Sequence, residues 1–101
     1  MAFEHEYDFT QLVNEAEHLV IQELGIQLEA LNEEGSEVCL CEDCVLDMAT
    51  LALNSVKPLY RVSLLGSLYA AHAMDEDKYA TALKKAVAEA IKKIHNNPSH
   101  D

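Results

Sequence analysis

The stretch "CLCEDCVLDMATLALN", residues 39–54, holds every cysteine of the chain and runs straight into a helical pattern. On a wheel of about 100° per residue, Asp43, Asp47, Thr50 and Asn54 form one narrow polar stripe, and nearly everything else is apolar. A helix with that pattern has to be covered on most sides. A chain of 101 residues offers two further helices at most for the task. A homodimer built around this helix is therefore expected, and dimerisation or a bound metal would compensate for the small core of so short a domain. Asn54 and Pro58 close the helix.

Cys39, Cys41 and Cys44 are spaced as Cys-x-Cys-x-x-Cys, which brings three sulfurs together at a turn and helix start. Zinc binds thiolates at about 2.3 Å and usually takes four ligands, so a structural zinc pinning the loop before the helix is the expected cofactor. The competing reading is three buried, inert thiols. A redox catalyst is disfavoured, because Glu37, Glu42 and Asp43 oppose thiolate formation nearby. The fourth ligand is open. His18 is the first candidate, because the eight residues from Leu31 to Cys39 can span about 25 Å while His18 lies about 20 Å back along a helix. Against it, His18 shares a helical face with Gln11, Glu15 and Gln22, as an exposed surface histidine would. His72 is the runner-up, His5, His95 and His100 complete the set, and water could also close the site.

Charge narrows the partners. Eighteen acidic residues against seven basic ones give a formal net charge of −11. That field repels phosphate backbones and anionic membrane surfaces, so neither non-specific nucleic-acid binding nor membrane binding is expected. No apolar run reaches about 18 residues, and "MAFEHEYDFTQ" lacks the basic region of a signal peptide. A cytoplasmic address is the expectation, where thiols stay reduced and a disulfide framework is out of place.

Two more helices are legible. Asp8 with Gln11 resembles a capping box, and Phe9, Leu12, Val13, Ala16, Leu19, Val20, Leu24, Leu28 and Leu31 recur at three- and four-residue steps. This predicts a helix from about Asp8, interrupted by Gly25 and ended by Asn32 and Gly35. In the last helix Asp75 is the expected N-cap, with Met74 and Tyr79 as a hydrophobic staple. Acids load its start, Lys92, Lys93 and His95 its end, and Tyr79, Leu83, Ala86, Val87, Ala90, Ile91 and Ile94 its buried stripe. Between Pro58 and Gly66 the chain reads as a loop with room for one short strand in 59–66. The expected fold is all-α or nearly so: a single domain over 1–101 with an ordered core at about 8–95.

The run "CLCEDCVLDMATLALNSVKPLYRV", followed by Gly66 and "LYA", resembles the ComFB family, named for a late competence development protein. The likeness rests on the cysteine spacing, Asp47, "LALN", Pro58, Tyr60 and Gly66 in that order. It implies a small, mainly helical, zinc-binding homodimer without enzymatic activity. It also implies a receptor for a cyclic dinucleotide second messenger, cyclic di-GMP or cyclic di-AMP, linked to competence, DNA uptake or motility regulation. A fourth cysteine is absent from this chain, which leaves the closing zinc ligand open.

The residues give the receptor reading a candidate loop. Arg61, the chain's one arginine, follows Tyr60 and lies near Lys57, so an arginine fork, an aromatic face and an ammonium fall together. Such groups clamp phosphate or guanine and stack a base, and a twofold dimer would present them twice to a twofold ligand. The other reading of Arg61 is a solvated loop residue, with Tyr60 packed on the core. The alternative function is an interaction protein with a zinc-pinned fold, whose acidic face recruits a protein partner without any nucleotide. An enzyme is the weakest class: there is no Gly-rich phosphate loop, no nucleophile elbow and no zinc-deaminase pattern.

Overall fold

The apolar stripes in the sequence, from Ala16 onward, become the buried faces of three helices. The computed structural model describes residues 2–62 and 77–98. Two single 3₁₀ turns, Phe3–His5 and Phe9–Gln11, lead into β1 (Val13–Asn14) and α1 (Glu15–Glu33). Then follow α2 (Glu42–Leu53), β2 (Tyr60–Arg61) and α3 (Asp77–Asn96). The three helices pack on one another, with the most extensive contact between α2 and α3. Their buried faces share one spacing: Ala16, Val20 and Leu24 on α1, Cys44, Met48 and Ala52 on α2, Leu83, Val87 and Ile91 on α3. Side chains four apart lie above one another on a helix, so each row forms a continuous ridge. Ala86, Ala90 and Ile94 widen the buried stripe of α3. The expected stripe of α3 and the exposed polar stripe of α2, Asp43 to Asn54, are both as the sequence read them.

The start of the first helix is a correction. The helix begins at Glu15, and its N-cap is Asn14, whose Oδ1 accepts from the Ala16 N–H at 3.1 Å. Asp8 caps only the 3₁₀ turn that follows it, accepting from the Thr10 N–H. The cause is tertiary. Val13 and Asn14 pair antiparallel with Arg61 and Tyr60, so the segment before α1 is extended rather than helical. Phe9, Leu12 and Val13 consequently leave the buried face and stand exposed. The fold is thus mainly helical, as expected, with a small two-stranded sheet added. The short strand expected in 59–66 is present as β2, and its partner β1 was hidden inside the predicted helix.

The other end of α1 follows the sequence. The Ser36 N–H donates to the Leu31 carbonyl at 3.0 Å and the Gly35 N–H to the Asn32 carbonyl at 3.1 Å, a Schellman closure with Gly35 at φ 81°. The helix passes through Gly25 without interruption. The Asp75 cap, the Met74 partner of the staple, Gly66, His72 and His100 lie outside the described residues.

Asn14 also accepts from the Leu59 N–H at 2.8 Å, so one side-chain oxygen caps α1 and fixes the strand that crosses it. Replacing Asn14 by Ala should lower stability by about 1–3 kcal/mol in urea unfolding, whereas Asn14→Asp, which keeps the acceptor, should retain most of it. The two glycines give opposite signs. No atom lies within 4 Å of a Cβ built at either position, so backbone conformation alone decides. Gly25→Ala should stabilise by roughly 0.5–1 kcal/mol, and Gly35→Ala should destabilise by about 1–2 kcal/mol.

Candidate metal centre and binding loop

The sulfurs of Cys39, Cys41 and Cys44 all lie within 4.8 Å of one another. Local structure explains the convergence. Cys41 is the N-cap of α2, and its Sγ accepts from the Cys44 N–H at 3.4 Å. This bond turns the chain so that the two sulfurs flank the first helical turn, where unpaired N–H groups favour negative charge. Cys44 is fully buried in the core beside Val20, Leu24 and Met48, while Cys39 and Cys41 are half-buried against that core. Two thiolates on one zinc are at most about 4.6 Å apart, so a small inward rotation of the side chains suffices for the ion. The donor set fits zinc, and among the described residues it is the one cluster of metal-ligating side chains.

His18 is not in this cluster. It is exposed on α1 and borders a shallow surface depression with Leu12, Val13 and Ile21. His5 is exposed on the N-terminal turn, and His95 lines a groove of about 440 Å³ together with Leu31, Val38 and Ile91.

The second group of candidate residues sits on β2 and the turn before it. Tyr60 is 65% exposed. Arg61 is half-buried, and its Nε–H donates to the Glu15 carboxylate in an ion pair. Lys57 is exposed, and its backbone carbonyl accepts from the Tyr79 hydroxyl at 2.8 Å. Burial pushes the Tyr79 phenol above its ordinary value. The segment from Lys57 to Arg61 is therefore tied down by Tyr79 of α3, by Asn14 and by Glu15 of α1.

Sequence reasoning passed over these three anchors. An Asn directly before Glu15 and Glu17 is an N-cap followed by acids in the first turn, a signal that could have located Asn14. Nothing local could have paired Glu15 with Arg61, which lies 46 positions later.

The geometry can be set beside known proteins. The family model for late competence development protein ComFB matches residues 13–98. No functionally curated protein matches the chain. The chain is similar to the solved structure of the late competence protein ComFB from Bacillus subtilis, with 27% identity and a TM-score of 0.64. The alignment covers 87% of this chain and 92% of that one. With the three cysteines, β2 and all three helices inside the matched region, the chain belongs to the ComFB family.

Proposed function

We propose that this protein is a regulatory homodimer in which a structural zinc on Cys39, Cys41 and Cys44 holds the loop before α2 and a cyclic dinucleotide docks on Lys57, Tyr60 and Arg61. The observation that carries the zinc is the convergence of three sulfurs within 4.8 Å on a helix start. Zinc would supply cross-linking, not chemistry: it ties the segment after Gly35 to the buried ridge of α2. A histidine (His18 or His72) or water would complete the coordination. ComFB is not known as an enzyme family, and a cofactor of this kind needs no catalytic role.

For the nucleotide, the supporting feature is a paired strand that carries an exposed Tyr60 and, at the next position, the half-buried Arg61. Held loops lose less entropy on binding than mobile ones. Glu15 complicates the site in an informative way. It engages Nε of Arg61, one of five guanidinium donors, and sets a carboxylate against its charge. An anionic ligand must then bind through the remaining donors against a neighbouring carboxylate. The dimer is supported by α2, where Leu46 is 57% exposed and Val45, Ala49, Leu51 and Leu53 are only partly buried. Competence, DNA uptake or motility would be the regulated process.

Protein purified without added metal should contain about one zinc per chain by elemental analysis. Cys41→Ser should lower both zinc content and melting temperature, and a metal-free protein of undiminished stability would sink the zinc reading. Calorimetry with cyclic di-GMP and cyclic di-AMP should find one ligand bound per two chains. Arg61→Ala should weaken it by at least about tenfold, and Glu15→Gln should strengthen it, because the competing carboxylate charge beside the guanidinium is removed. Absence of binding to either nucleotide would leave the interaction-protein reading in its place.

A further inference from the structure

The N-terminal arm carries an apolar feature that neither the metal nor the nucleotide uses. Phe3, Tyr7 and Phe9 pack against one another in tilted pairs, with ring centroids 5.0, 6.0 and 6.1 Å apart. They remain 64%, 59% and 46% exposed, and neither 3₁₀ turn contributes a buried residue to the core. Leu12 and Val62, both exposed, extend the cluster into a depression of about 420 Å³. Contiguous exposed apolar surface of this kind costs solubility and marks interaction sites. The arm precedes residue 13, where the family match begins, so it lies outside the matched region.

Its charge selects the occupant. Glu4, Glu6 and Asp8 are interleaved with the rings, and the chain's first lysine or arginine is Lys57. A second copy meeting the arm about a twofold axis would set these carboxylates against themselves. Nucleic acid and anionic membrane are repelled for the same reason. An aromatic surface bordered by carboxylates matches a segment with apolar anchors flanked by lysine or arginine. We propose that the arm docks a basic amphipathic helix of a partner protein, with Phe3, Tyr7 and Phe9 as anchors and Glu4 and Glu6 steering the approach. The inference stands apart from the zinc and nucleotide readings and does not need either.

The test uses the full chain and a fluorescein-labelled helical peptide of leucine and lysine, leucines on one face, followed by fluorescence anisotropy. Both Phe3→Ser/Tyr7→Ser/Phe9→Ser and Glu4→Gln/Glu6→Gln should weaken binding by roughly tenfold or more. A distant pair, Glu29→Gln/Glu33→Gln on the exposed face of α1, should stay within about twofold. Melting temperatures should not move, since the arm is outside the core; if the serine variant does melt early, the glutamine pair decides. Equal weakening by the distant pair would reduce the effect to diffuse charge and overturn the proposal. So would undiminished binding by the serine variant. A change of oligomeric mass in that variant would make the arm an interface between copies instead.

Discussion

Burial of α2 is the constraint on which the rest of the structure depends. The helix is apolar around most of its circumference, and water cannot be left against it without a cost of about 1.5–3 kcal/mol for each large side chain. Helices α1 and α3 meet the demand by laying their own four-residue ridges on Cys44, Met48 and Ala52. This explains why the metal site lies where it does. Cys44 is a core residue first, and the loop bearing Cys39 and Cys41 must close over it to finish the end of the core. A zinc at that place would couple the covering loop to the best-buried helix of the molecule.

A second, smaller centre of organisation surrounds Asn14. One oxygen serves the first turn of α1 and the backbone of Leu59, and the neighbouring Glu15 N–H donates to the Leu59 carbonyl at 2.8 Å. Leu59 itself is buried against Ala16, with Leu19, Leu53, Val56 and Tyr79 around them. Two strands of two residues would have no stability alone. Here they persist because a helix cap, an ion pair and a small apolar cluster fall on the same few residues. The result is a stiff mount for Tyr60, whose ring points outward, and for Arg61, whose charge is held against Glu15.

Charge is distributed unevenly along the chain. Everything before Lys57 is without lysine or arginine, and five of the chain's lysines lie on α3. The α1 side of the molecule, including the aromatic arm, therefore presents a nearly uniform acidic field.

The sequence by itself determined the three helices, their buried stripes, the end of α1 at Gly35 and the meeting of three sulfurs at the start of α2. These features are local: helical periodicity, a left-handed glycine and a motif spanning six positions all act within a few residues of themselves. Family membership was legible for the same reason, since its motifs are short and ordered. Tertiary structure alone decided where α1 begins, because an apolar pattern through Phe9, Leu12 and Val13 is compatible with a helix until β2 arrives to pair with it. It decided that Arg61 is matched by Glu15. It also left Phe3, Tyr7 and Phe9 outside the core. Contacts between residues far apart in the chain depend on how packed helices orient their neighbours, and no short window of sequence encodes that geometry.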